Sequence, residues 1–107
     1  MPSERIAYLY DVFNAPAARE AAYATMSAML DTRSLVARLP RISTPTLVVW
    51  GRQDAYNPVS HGRRLAREIR GARFDVLECG HSPIEETPID FAQSVTSFLG
   101  EPRGKVA

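Results

Sequence analysis

The chain has 107 residues, 45% of them apolar, with four Phe, four Tyr and one Trp and a formal net charge of +1; this suits one domain at most and excludes a disordered chain. The near-zero charge leaves no electrostatic case for nucleic acid or an anionic membrane as partner, and no apolar run approaches the roughly 20 residues that span a bilayer. A single cysteine, Cys79, excludes an internal disulfide, and without a signal-like apolar core after Met1 to Arg5 the expected location is the cytoplasm.

Residues 1–40 read as helical. Ile6, Leu9, Tyr10 and Phe13 recur at helical spacing, and Asn14 and Pro16 then punctuate the chain. Pro16 suits the first turn of a second helix, where its missing N–H costs nothing. Ala18, Ala22, Met26, Met29 and Leu30 trace one face of that helix. Asp31 to Arg33 breaks the pattern, and Ser34 to Leu39 reads as a short third turn ended by Pro40. Small helices poor in large apolar residues make a weak core, so this stretch is expected to pack on something else.

Residues 41–100 read as α/β. Thr46 to Trp50 is apolar almost throughout, as a strand buried on both faces would be. Gly51 to Tyr56 is a loop, with Asn57 as expected N-cap and Pro58 at the first helical position. Val59, Gly62, Leu65, Ala66 and Ile69 form a helix stripe that Gly71 stops. Arg73 to Leu77 is a second strand, and Cys79 to Glu86 a loop. Thr87 caps a last helix, with Asp90 three residues on. Phe91, Val95, Phe98 and Leu99 line its inner face. Residues 101–107 are a polar tail.

Strand, helix, strand, helix implies two parallel strands joined by a crossover. A parallel sheet of two strands leaves open edges and bare faces, so this reads as the last part of a larger sheet. In such sheets reactive groups sit beyond the C-terminal strand ends. Asp54 follows the first strand and His81 the second, so parallel strands deliver both to one sheet edge. A carboxylate beside an imidazole fixes its tautomer and stabilises the imidazolium formed in proton transfer. The pair is two thirds of a nucleophile–base–acid triad.

Pro45 to Asp54 with its W-G-x-x-D turn, then Gly80-His81-Ser-Pro-Ile-Glu-Glu86-Thr-Pro88, then Phe91 and Phe98-Leu99 resemble the C-terminal third of an α/β-hydrolase. The resemblance is dense over residues 41–100 and looser over 1–40, which is similar to the end of a helical cap. It implies a partial α/β-hydrolase, with two parallel strands and flanking helices preceded by a cap remnant. By position Asp54 matches the triad acid and His81 the triad base. Glu86 and Pro88 match a recurrent E-x-P, a structural feature at the start of the last helix. The tails Asn57-Pro58 and Gly-His-Ser-Pro are similar to cap-bearing C–C bond hydrolases, esterases and haloperoxidase-like members. The implied substrate is a small ester, amide or related carbonyl compound with an apolar part, and no cofactor or metal is implied. The family order is serine, acid, histidine, with the serine in G-x-S-x-G. None of Ser3, Ser27, Ser34, Ser43, Ser60, Ser82, Ser94 and Ser97 has glycine at both −2 and +2. The chain is therefore expected to be inactive alone, as a C-terminal fragment that needs a separate N-terminal half.

Simpler roles compete. Asp54 alone is a turn former, and His81 alone a loop histidine. His61 reads as a surface residue, Cys79 as packing, Ser82 as a loop hydrogen-bonding residue, and Met26 with Met29 as core or cap lining. Asp54, Cys79 and His81 lack the paired spacing of zinc sites. A second reading makes the chain a non-catalytic truncated or split-subunit module that self-associates or pairs through its sheet edge. A third makes it a different α/β module, with residues 46–50 and 73–77 not adjacent in space.

Overall fold

A computed structural model describes residues 2–101. The chain divides into two units, the first ending at Ala37 and the second beginning at Arg38. In the first, α1 (Ser3–Asn14) and α2 (Pro16–Ala28) form a hairpin around Ala15, and a single turn, α3 (Arg33–Val36), follows. Pro16 opens α2, as its sequence position predicts. Of the apolar positions expected to line these two helices, Leu9, Ala18 and Ala22 are half-buried, while Ile6, Tyr10, Phe13 and Met26, and Met29 and Leu30 just beyond the end of α2, are exposed. The physical reason is size: alanines let the helices approach but bury little area. Met26 and Met29 are therefore surface residues of this unit, not core.

The second unit begins with a 3-10 turn at Leu39–Arg41. It continues with β1 (Leu47–Gly51), α4 (Val59–Glu68), β2 (Arg73–Leu77), α5 (Pro83–Glu86) and α6 (Pro88–Gly100). β1 and β2 pair in parallel from Leu47 opposite Arg73 to Gly51 opposite Leu77. This adjacency rules out the reading that keeps the two segments apart. Among the described residues the strands pair only with each other. The architecture is α/β, two parallel strands with flanking helices.

Strand alternation assigns the faces. Trp50 meets Gly62 of α4, and the Arg63 guanidinium lies 5.9 Å from the Phe74 ring centroid, so α4 covers the face that carries Val48, Trp50 and Phe74. Ser94 of α6 bonds Asp75, so α6 covers the opposite face. Along α4 the expected stripe holds: Gly62 and Ile69 are buried and Val59, Leu65 and Ala66 half-buried. On α6 the inward residues are Phe91, Ser94, Val95 and Phe98, while Leu99 is exposed. A serine faces inward because Asp75 needs it: its carboxylate takes two bonds from Arg73 and one from the Ser94 hydroxyl. Buried apolar side chains are few among the described residues: Val48, Ile69 and Cys79.

Three local expectations shift. Pro58, not Asn57, is the residue before α4, and no side chain caps that helix. Thr87 does precede α6, but its hydroxyl donates back to the Pro83 carbonyl at 3.3 Å. The segment 83–86, expected as loop, is one helical turn. The tail beyond Glu101 lies outside the described residues.

Gly62 fixes how closely α4 sits. A Cβ there would come within 2.5 Å of the Trp50 indole carbons. Glycine to alanine in a helix interior ordinarily gains about 1 kcal/mol, whereas overpacking costs about 1–3 kcal/mol. The clash outweighs the propensity, so Gly62→Ala lowers the urea midpoint of the chain. A raised midpoint would show that α4 does not rest on Trp50.

Candidate functional site

The two motifs meet. His81 Nδ1 lies 2.9 Å from Asp54 Oδ2, although the residues are 27 apart in sequence. β1 and β2 end level at Gly51 and Leu77, and each chain then turns over the same sheet edge. The turn after β1 is sewn to the segment after β2. Arg52 N–H donates to the Leu77 carbonyl (2.8 Å) and Gln53 N–H to the Cys79 carbonyl (2.9 Å). The Glu78 carboxylate adds a second layer, accepting from Arg52 Nε and from Gln53 Nε2 (2.9 Å).

Asp54 is held by its own loop. Its Oδ1 accepts from the N–H groups of Tyr56 and Asn57, each at 2.9 Å. That is an Asx turn, the local geometry for which aspartate is favoured. The turning loop feeds the Asn57 carbonyl back to the Trp50 indole N–H at 2.9 Å. The Asn57 backbone thus serves the aspartate loop through both its N–H and its carbonyl. The Asp54 side chain is 5% exposed, the His81 side chain 50%. Desolvation pushes the Asp54 carboxyl up most, but the Asn57 N–H, His81 and the Tyr56 N–H together outweigh it and hold the carboxyl below its usual range. An ionised Asp54 accepts, so Nδ1 is the donor and Nε2 of the neutral ring the acceptor. The Tyr56 ring meets the imidazole edge-on, centroids 5.2 Å apart.

Beside the pair is a recess of about 160 Å³, lined by Val49, Trp50, Gly51, Asp54, Asn57, His81 and Pro83. Pockets that take small organic ligands run from roughly 300 Å³ upward, so this recess alone is smaller than such a pocket. Ser82 lies next to His81 and gives its N–H to Glu86. Cys79 is buried, with its carbonyl holding Gln53. His61 is exposed on α4. Among the described residues no group of three His, Cys, Asp or Glu side chains is arranged to hold a metal ion, and no helix is long and apolar enough to cross a membrane. Sequence reading missed the roles of Glu78, Trp50 and Asn57. The one available signal for Glu78 was its place two residues before the Gly80-His81 turn.

Several carboxylates are ionised more readily than usual. Backbone N–H groups of Ser82 and then Gly80 lower Glu86, Arg52 and then Gln53 lower Glu78, and Arg73 lowers Asp75 against its own desolvation. A carboxylate with a lowered folded-state pKa stabilises the fold above its ordinary value and loses that contribution as pH falls. The ordinary values are 3.8 for Asp and 4.5 for Glu. The urea midpoint is therefore expected to hold from neutrality down to about pH 5 and then to fall steadily toward about pH 3. A midpoint unchanged at the acid end would mean these bonds contribute nothing.

Residues 2–94 match the profile of the alpha/beta hydrolase family. The chain is 42% identical over 67 residues to monoacylglycerol lipase abhd6-A of Xenopus laevis, covering 62% of this chain and 20% of that protein. It is 43% identical over 63 residues to the 2-hydroxy-6-oxononadienedioate/2-hydroxy-6-oxononatrienedioate hydrolase of Klebsiella pneumoniae, covering 58% and 22%. The chain thus spans about a fifth of the length of these curated relatives. Among solved structures, a serine hydrolase involved in carbazole degradation (CarC enzyme) superposes with a TM-score of 0.79 at 28% identity, over 92% of this chain and 40% of that one. A hydrolase from Pseudomonas aeruginosa superposes with a TM-score of 0.59 at 43% identity, over 63% and 25%. A profile match over nearly the whole chain, together with these two superpositions, leaves one conclusion: the chain belongs to the alpha/beta hydrolase family.

Proposed function

We propose that this chain supplies the acid and the base of a serine-hydrolase triad, with the nucleophile outside the given sequence. The observation that carries the reading is the 2.9 Å contact of Asp54 Oδ2 with His81 Nδ1, on a half-exposed ring. In the complete site His81 Nε2 takes the serine proton as the hydroxyl attacks the substrate carbonyl, then returns it to the leaving group. In the second half His81 takes a proton from a water as it attacks the acyl-enzyme carbonyl, and gives that proton to the serine oxygen as the acyl–serine bond breaks. Asp54 stays ionised throughout, holding the ring and stabilising the imidazolium. The substrate is an ester, amide or related carbonyl compound with an apolar part. Support for that class comes from the relatives, a monoacylglycerol lipase and a 2-hydroxy-6-oxononadienedioate/2-hydroxy-6-oxononatrienedioate hydrolase, and from the apolar walls Val49, Trp50 and Pro83.

The test is a graft. Residues 38–101 replace the matching segment of the Xenopus lipase, which supplies the rest of a hydrolase chain, and a p-nitrophenyl ester is assayed. Turnover that disappears in His81→Ala is the expected result. Turnover that survives His81→Ala refutes the assignment.

A second reading has its own observation. β1 and β2 pair only with each other among the described residues, and β2 is no more than half-buried along its whole length. The chain by itself then acts as a non-catalytic module that associates through its sheet edge. Size-exclusion chromatography with an ester assay separates the two. An inactive oligomer or complex supports association, and a monomer with turnover excludes it.

A further inference from the structure

His81 stands in a loop, and a loop alone does not hold a ring to within the few tenths of an ångström that proton transfer needs. Its backbone is held from one side chain. Glu86 Oε2 accepts the Gly80 N–H at 2.8 Å, and Glu86 Oε1 accepts the Ser82 N–H at 2.9 Å. These are the two residues on either side of His81. The carboxylate comes so close that a Cβ on Gly80 would lie 3.0 Å from both of its oxygens. Gly80 is therefore the residue that admits the clamp.

Glu86 is itself immobilised. Its N–H and that of Glu85 both donate to the Ser82 carbonyl at 2.9 Å. Ser82 and Glu86 thus exchange bonds in both directions, the logic of a capping box closed around one helical turn. Thr87 bonds back to Pro83 on the far side, and Pro88 starts α6 at once. Glu86 is the last residue of α5, with its carboxylate aimed back at the histidine loop. The Ser82 and Gly80 N–H groups keep it ionised, with a smaller contribution from His81 set against repulsion from Asp54.

We propose that Glu86 is a positioning residue for the Asp54–His81 pair. By accepting the N–H groups on both sides of His81 it fixes the direction in which the ring leaves the backbone, so that Nδ1 meets Asp54 and Nε2 is presented as the acceptor. The inference rests on the acid–base reading and goes beyond it. A role limited to closing α5 would stabilise the fold and leave the tautomer of His81 untouched.

The test reads the imidazole nitrogens of the 107-residue chain by ¹⁵N NMR at mildly alkaline pH, with exposed His61 as the internal comparison. In the parent chain the Nδ1–H form of His81 dominates. Glu86→Gln keeps the size but can accept only one of the two N–H bonds, and is expected to cut the Nδ1–H population at least about twofold. Glu86→Asp, which keeps the charge, restores part of it. Asp54→Asn is the companion variant and reverses the tautomer if the pair exists. Reversal in Asp54→Asn with no change in Glu86→Gln overturns the role of Glu86 and leaves the pair standing. No change in Asp54→Asn refutes the pair, and the positioning role falls with it. Should Glu86→Gln fail to fold, the parent chain still answers. The Gly80 and Ser82 amide protons must shift together with the Glu86 carboxyl carbon on acid titration, and independent shifts overturn the proposal.

Discussion

Asp54→Asn lowers turnover of the grafted hydrolase about 10⁴-fold while leaving KM within a few-fold. The reason is local. Asp54 Oδ1 accepts two backbone N–H groups, from Tyr56 and Asn57. An asparagine must keep its oxygen there, because an amide NH₂ facing two donors would leave all of them unsatisfied. The amide nitrogen is then placed where Oδ2 stood, 2.9 Å from His81 Nδ1. It donates to Nδ1, so the ring proton moves to Nε2, and the atom that should take the serine proton already carries one. The substitution removes a charge and, more damagingly, locks the base in its wrong tautomer. His81→Ala removes the base outright. Since the two residues act as a unit, the double variant is expected to lose no more than His81→Ala alone. Additive losses would show that Asp54 and His81 work on different steps. Unchanged turnover in Asp54→Asn would remove Asp54 from the mechanism.

The meeting of Asp54 and His81 was legible in the sequence because each depends on short-range pattern. An apolar five-residue run, a turn and a carboxylate locate Asp54; a second run, Gly80 and an imidazole locate His81. Parallel pairing does the rest, since it carries both turns to the same edge. What was not legible depends on competition for partners. Asn57 has the composition of a cap, but its backbone N–H and carbonyl serve Asp54 and Trp50, and the helix starts one residue later than expected, after Pro58. Thr87 stands in the cap position, yet its hydroxyl finds a carbonyl four residues back. Ser94 looks like an outer-face residue until Asp75, 19 positions earlier, is placed beneath it. Leu99 was assigned inward by apolarity alone and lies exposed. The four-residue α5 has no periodicity to detect. Glu86 was visible as part of an E-x-P pattern, but its two N–H partners exist only once the loop has curled back on it.

Gly51→Ala is expected to destabilise the chain by about 3 kcal/mol or more. A Cβ on Gly51 would lie 1.8 Å from the Gly80 carbonyl oxygen and 2.6 Å from that of Cys79. Both are backbone atoms, so no rotamer change relieves the contact. The strands must part at the end where Gln53 N–H meets the Cys79 carbonyl, and it is this bond that ties the aspartate turn to the histidine loop. Gly71 is the control. Its φ of 73° makes alanine strained, but a Cβ there meets nothing within 4 Å, so Gly71→Ala carries only the left-handed backbone penalty of about 1–2 kcal/mol. In the graft the two variants diverge further. A displacement of about 1 Å between reacting groups costs roughly 10²-fold in rate, and Gly51→Ala forces Gly80, the neighbour of His81, at least that far. Gly71, at the opposite end of β2, leaves turnover as it was. Urea unfolding of the chain and ester turnover of the graft measure the two consequences separately. Equal effects of the two substitutions would mean that the close crossing of Gly51 over Gly80 does not set the geometry of the pair.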